Sequence, residues 1–249
     1  HTHAVEQAGR EYAIDTGFIV FNPANYPLLT RMFEQLRVAS QPTTMSFSVQ
    51  DAGNGLEYNA GTLAGLFCQP RNLVSPRFWR MLRDLKRFYR EAPSLLDGND
   101  DGPTLGDYLR EGGYSDIFTR DHLLPMASAL WSSPSEQVLA FPARYLVRFM
   151  ANHHMLQIND RPEWRVVRGG SSSYVRALEA TWDVKVRLDN GARAVRRVEH
   201  GVQVRSMLGI DTFDHVVLAC HADEALTLLD DASDAEREVL GAIGYQYNE

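Results

Sequence analysis

The sequence predicts an α+β chain in which a block of helices interrupts two β-rich stretches. Three observations carry that reading. Apolar residues alternate at a period of two in several short runs before residue 60, recur at helical spacing from about residue 75 to 155, and return to a period of two at Trp164. The chain therefore divides into segments 1–75, 76–160 and 161–249, the middle one helical.

In the first segment, a strand, a turn at Gly9-Arg10 and a second strand from Glu11 to Asp15 lead to Thr16-Gly17, where glycine can adopt a positive φ. Leu28, Leu29, Met32, Phe33 and Leu36 have the spacing of a helix that closes near Val38. Met45, Phe47 and Val49, then Leu56 and Tyr58, alternate on either side of Asp51-Ala52-Gly53-Asn54-Gly55, which is a hairpin signal.

The helical block opens with Ser75-Pro76, a capping hydroxyl followed by proline at the first helical position, and Phe78, Leu82, Leu85 and Tyr89 then share a face up to Ala92-Pro93. A polar loop at Asp97–Pro103 precedes Thr104-Leu105-Gly106-Asp107, a capping box for a short helix. Helical spacing continues over Ser115–Trp131 and Arg144–Met155. Beyond it, Trp164–Val167 reads as a strand, Gly169-Gly170 as a tight turn, and Ser171–Ala180 as a helix with Tyr174, Val175 and Leu178 inward. Strands are expected at Val184–Leu188, Ala194–Val198, Val202–Met207 and His215–Ala219, then a helix capped by Asp223.

Composition narrows the function classes. The 249 residues are 44% hydrophobic and 23% charged, with 25 basic and 32 acidic side chains and a net charge of −7, which argues against general binding to nucleic acid. Cys68 and Cys220 lack C-x-x-C spacing, which excludes a disulfide framework and a thiolate zinc site and suits a reducing, cytoplasmic setting. No apolar run approaches the roughly 20 residues of a membrane span. Gly169-Gly170-Ser171-Ser172-Ser173 lacks the second glycine of a nucleophile elbow, adjacent His153 and His154 cannot share a helix face as metal ligands, and neither G-x-G-x-x-G nor a P-loop is present. No metal site is expected.

Three stretches do fall in a known order. Tyr12-Ala13-Ile14-Asp15-Thr16-Gly17 resembles the D-x-G strand, and Trp164 to Tyr174 the V-x-G-G turn and helix, of the flavin-dependent amine oxidase superfamily, which includes phytoene desaturases and protoporphyrinogen oxidases. His1–Val5 resembles the stretch that follows that family's R-x-G-G. Gly191–Val198 resembles the strand bordering the adenine of FAD, with Val195 at the contacting position, and Phe213–Ala219 resembles the D-x-V-V-x-A-x-P strand, although His221 or Ala222 stands where that motif has proline. Asp15–Asn22, Met45–Val49 and Phe141-Pro142-Ala143 are similar to a bacterial subgroup of NAD/FAD-binding oxidoreductases.

The resemblance implies an antiparallel substrate-domain sheet and part of a cofactor-domain sheet, with the helical block as substrate domain. It implies FAD as cofactor, near Asp15, Thr16, Gly17, Phe18, Gly169, Gly170 and Val195. The family's glycine loop would precede His1 and its closing flavin segment would follow Glu249, so the 249 residues alone are expected to bind FAD weakly or not at all, to be inactive alone, and to self-associate through uncovered strand edges. The implied reaction is oxidation of a C–N or C–C bond, with pocket candidates at Trp131 and His153, in the two richest polar-aromatic stretches of the block. One feature suggests otherwise: the helix from Arg77 to Arg90 sets Arg77, Arg80, Arg83, Lys86, Arg87 and Arg90 against Asp84 alone, as in helices that lie on anionic membranes. With Arg80, Arg83 and Arg87 as its outward face, a lipid-like substrate, or a non-catalytic lipid- or partner-binding module on an oxidase-like fold, becomes the alternative.

Overall fold

A computed structural model of the chain describes residues 2–98, 102–131, 133–157 and 161–245. The centre of the expected polar loop (99–101), Ser132, His1 and the last four residues lie outside them. The chain divides into two compact units, 1–182 and 183–249, a boundary inside the third sequence segment.

In the first unit, β1 (Thr2–Gln7) and β2 (Arg10–Asp15) form a hairpin whose turn is Ala8-Gly9, at φ 52° and 72°, one residue earlier than expected. These are the left-handed values a two-residue hairpin turn needs. Among the described residues the two strands pair only with each other, leaving Val5, Tyr12 and Ile14 exposed. Helix α1 (Pro27–Gln35) buries Phe33, which closes a small aromatic core with Phe21 and Val167, and Phe18 and Tyr174 pack against it. Strand β3 (Ser40–Thr43) pairs antiparallel with β6 (Trp164–Val167), and β4 (Ser48–Gln50) with β5 (Glu57–Asn59).

The helical block begins with α2 (Leu63–Leu66) and α3 (Pro76–Glu91), whose Ser75 Oγ accepts from the Phe78 N–H at 3.2 Å, the cap its sequence predicts. Helix α4 (Leu105–Glu111) is capped by Thr104, whose Oγ accepts from the Asp107 N–H. Then α5 (Asp116–Phe118), a π-helical turn at Thr119–Leu123 and α6 (Leu124–Trp131) run on without a break, followed by α7 (Ser135–Ala140) and α8 (Ala143–Asn152). Phe78, Met81, Phe88, Leu105, Phe118, Val138, Leu146 and Met150, each at most 1% exposed, make the main core. Helix α9 (Ser172–Thr181) closes the unit; Tyr174 packs inward, but Val175 is exposed, contrary to its expected orientation, because the apolar core meets only one side of this helix.

The second unit is an antiparallel meander of β7 (Ala194–Val198), β8 (Gly201–Ser206) and β9 (Gly209–Phe213), with α10 (Ala222–Leu228) and α11 (Asp234–Gly241). The fold is α+β, with antiparallel ladders throughout its strands, and among the described residues these form four small sheets where the sequence suggested two larger ones. Val184–Leu188 and His215–Ala219 are not strands. Both alternate correctly but have no ladder partner among the described residues, so Val184, Leu188 and Val217 stand exposed. Both cysteines are free and exposed, although their neighbours in sequence are apolar. No helix of the described residues is long and apolar enough to cross a membrane.

Candidate functional site

Two places in the first unit gather the residues that the sequence singles out. At the first, the carboxylate of Asp15, at the end of β2, accepts from Thr2 Oγ at 2.6 Å and from the Ser171 N–H at 2.9 and 3.0 Å, with Ser171 Oγ 3.1 Å away. Thr2 Oγ in turn accepts from the Ser172 N–H at 2.8 Å. Ser171 Oγ also lies 2.9 Å from the carbonyl oxygen of Phe18, tying the bend at 16–18 to the start of α9. Gly169 and Gly170, at φ 80° and 83°, make the intervening turn, and a Cβ on Gly170 would stand 2.6 Å from Thr2 Cγ2 and 3.1 Å from Ala13 Cβ. Asp15, Phe18, Gly169 and Gly170 are thus one assembly, with Thr16 and Gly17 in its bend. Burial pushes the Asp15 carboxyl upward, but the hydrogen bonds from Thr2 and Ser171 outweigh it and hold it below the usual aspartate range.

The resemblance assigns the pyrophosphate of FAD to a separate glycine loop, and this assembly has no free donors for it. A phosphate at a helix N-terminus needs free N–H groups, and at α9 the Ser171 and Ser172 N–H groups already donate to Asp15 and Thr2. Asp15 is itself an anion at the position a phosphate would take. Val195 lies in the second unit, 3% exposed, with its carbonyl oxygen accepting from the Asp230 N–H at 3.0 Å, beside an apolar cavity that Leu218, Leu229 and Leu240 also line.

The second place is a cavity of about 360 Å³, the size of a small-molecule site. One wall is Thr43–Phe47, leaving β3, and Arg161–Trp164, entering β6; the other is Tyr89 of α3, His122 and Met126, and His153–Met155 after α8. Burial drives the His122 imidazole down to about 4, so the ring is neutral near neutral pH. Its Nδ1 lies 2.8 Å from the Tyr58 hydroxyl, which donates to the carbonyl oxygen of Asp121 at 2.9 Å. With the single phenolic proton so placed, His122 Nδ1–H must donate to Tyr58, and Nε2 carries the lone pair. That Nε2 is buried and has no hydrogen-bond partner among the described residues. The Tyr58 phenol is held protonated by burial first and then by the negative charge of Asp121.

His153 repeats the arrangement. Its Nδ1 donates to the carbonyl oxygen of Phe149 at 2.9 Å, and its ring stacks on Phe149 with centroids 4.1 Å apart. Trp131 is not part of the lining: it packs against the far side of this stack, 4.9 Å from Phe149, and against Phe141 and Tyr145. The Tyr89 phenol is pushed up by burial, partly offset by the positive charge of Arg161 and then by a hydrogen bond with it. The cavity is therefore walled by two imidazoles, that of His122 neutral, among methionine and aromatic surface, with the Arg161 guanidinium also in its lining. No group of three or more metal-ligating side chains occurs among the described residues.

Sequence reasoning missed Tyr58, Tyr89, His122 and Arg161. His122 stands in Asp121-His122-Leu123-Leu124, a run that reads as core helix, and its partner Tyr58 is 64 positions away.

The family model for flavin containing amine oxidoreductases matches residues 1–246, and the chain belongs to that family. No curated protein matches the sequence. Among solved structures, the chain is similar to cyclohexylamine oxidase from Brevibacterium oxydans, at 19% identity and a TM-score of 0.69. Putrescine oxidase bound to putrescine is similar at 17% and 0.63, and a fatty acid isomerase from P. acnes at 16% and 0.56. In each case 96% of this chain is covered and 54% of the other, so the chain spans about half the length of these structures.

Proposed function

We propose that the full protein is a flavin-dependent oxidoreductase that oxidises the C–N bond of a neutral amine held in the His122–His153 cavity. The single observation that carries this reading is a largely apolar, small-molecule-sized chamber walled by the neutral imidazole of His122 and by His153, whose Nδ1 is engaged by the Phe149 carbonyl oxygen. An uncharged amine brings N–H donors and an apolar carbon skeleton, which match that lining. Arg161 in the lining disfavours the ammonium form. Family membership supports the flavin as electron acceptor. Since the Asp15 assembly has no free phosphate donors, the flavin's phosphates are held by other residues, and the role of Asp15, Gly169 and Gly170 is to fix the backbone around them.

The test is anaerobic titration of the purified full-length flavoprotein with a panel of primary amines, followed by bleaching of the flavin absorbance. Amines should reduce the flavin, and His122→Phe or His153→Phe should each weaken substrate binding about fivefold to tenfold, the effect of one lost hydrogen bond. Reduction by polyenes but not amines would move the assignment to a C–C bond. A protein that carries no flavin and turns over no amine would leave the binding-module reading in its place.

A further inference from the structure

We propose that the protein docks on anionic lipid bilayers through a surface at the start of α3, formed by Leu73, Val74 and Trp79 with Arg80, Arg83 and Lys86. The apolar part is displayed. Leu73, Val74 and Trp79 are 52%, 81% and 48% exposed, and they cluster where the 3₁₀ turn Pro70–Val74 hands over to α3. Trp79 is held in place there: its Nε1–H donates to the Leu73 carbonyl oxygen at 2.8 Å and its ring packs against Phe67, with centroids 5.5 Å apart. With the indole N–H satisfied internally, the part left to solvent is hydrocarbon, which water disfavours and a bilayer interface accepts.

The cations beside it are selective. Arg77 pairs with Asp121 at 3.1 Å, Arg90 with Glu91 at 2.7 Å, and Arg87 lies 3.9 Å from both Asp84 and Glu91 with its guanidinium over the Tyr114 ring. Arg87, expected from the sequence to face outward, is therefore spent within the fold. Arg80, Arg83 and Lys86 are exposed and form no ion pair among the described residues. Helix geometry places Trp79, Arg83 and Lys86 on one stripe, with Arg80 beside it. In a protein of net charge −7, three uncompensated cations adjoin an exposed aliphatic and aromatic tip. Nucleic acid would use the charges but not Leu73 and Val74. An anionic bilayer uses both, the apolar tip below the headgroups and the cations among them. This inference is independent of the amine cavity, which lies among other residues.

The experiment is flotation of the intact protein with vesicles of phosphatidylcholine alone or mixed with phosphatidylglycerol, at low and high salt. Wild type should float with the anionic vesicles at low salt, not with the neutral ones, and be released by salt. Each surface-bound cation contributes about a fivefold gain in partition, so Arg80→Gln/Arg83→Gln/Lys86→Gln should bind about 100-fold more weakly. Val74→Asp, at a position too exposed to unfold the chain, should weaken binding at least about fivefold, with an unchanged circular dichroism spectrum in both variants. Wild type that ignores anionic vesicles, equal binding to neutral ones, or either variant binding like wild type would overturn the proposal. So would a concentration-dependent dimer abolished by Val74→Asp without any vesicle binding, since the patch would then be covered by a second copy.

Discussion

Replacing His122 tests the assignment of a neutral imidazole in the cavity wall through the pH dependence of stability. In the folded protein burial lowers the group to about 4, against an ordinary value of 6.5 in the unfolded chain. Between those limits the unfolded chain binds more protons than the folded one, so stability rises with pH. Above about pH 6.5 both states are neutral and nothing is lost. As pH falls, the linkage relation gives a loss of about 2 kcal/mol by pH 5 and about 3 kcal/mol by pH 4, levelling off at about 3.4 kcal/mol below about pH 3. His122→Gln removes the titration and keeps a polar group toward Tyr58. Urea unfolding of both proteins at a series of pH values from about 8 to 5 isolates the term, because the carboxylates common to both cancel in the difference. The wild type should lose about 2 kcal/mol more than the variant over that range, whatever the variant's offset at neutral pH. Parallel profiles would mean that His122 titrates alike in both states, and the assignment of a neutral imidazole in the cavity wall would fall with that result.

Two further substitutions test the framework. Gly170→Ala should cost about 2–4 kcal/mol, from a left-handed backbone plus a Cβ driven against Thr2 and Ala13, whereas Gly169→Ala, at a similar φ but with only Ser173 Oγ at 3.3 Å, should cost about 1–2 kcal/mol; equal losses in thermal unfolding would discount the clash. Asp84 is buried in α3 and accepts from the Ser115 N–H at 2.9 Å and the Ser115 hydroxyl at 2.5 Å, so Asp84→Ala should lower stability by about 3 kcal/mol or more, and a loss below about 1 kcal/mol in urea titrations would show that water replaces the carboxylate.

What the sequence reveals and what it hides divide along a physical line. Helix α3 is legible because its signals are local: a capping serine, a proline at the first position, and apolar residues three and four apart. The capped start of α4 and the hairpin β4–β5 are legible for the same reason. Strands 184–188 and 215–219 are misread because alternation is local but a ladder is not. Conversely β3, Ser-Gln-Pro-Thr, has no apolar alternation and carries a proline, yet it pairs with β6 as an edge strand, the place a proline is tolerated. The Asp15–Ser171 contact, 156 positions apart, is beyond any periodicity, and only the resemblance to a known family groups the two stretches. The cavity is hidden more deeply, since His153 has a polar context that marks it, while His122 is embedded in a run whose composition is that of a core.

The two assemblies in the first unit are connected by strand β6. Its first residue, Trp164, lies in the cavity wall, and its last, Val167, is followed after one residue by the glycine pair that Asp15 and Thr2 fasten through Ser171 and Ser172. The antiparallel partner β3 runs from Ser40, opposite Val167, to Thr43, opposite Trp164, and then into the Thr44–Phe47 stretch of the same wall. A four-residue ladder is too short to fix its own position, and the further anchor at its start is the backbone pair between Phe21 and Arg165, on the aromatic core. The clamp at Gly169–Ser172 supplies an anchor at the other end. It thereby sets where Arg161–Trp164 stand relative to His122 and His153, which are held by the separate helical core. Asp15, Gly169 and Gly170 are thus joined through β6 to one wall of the cavity without lining it. On this view substitutions in the clamp should change substrate affinity together with stability, whereas substitutions at His122 or His153 should separate the two.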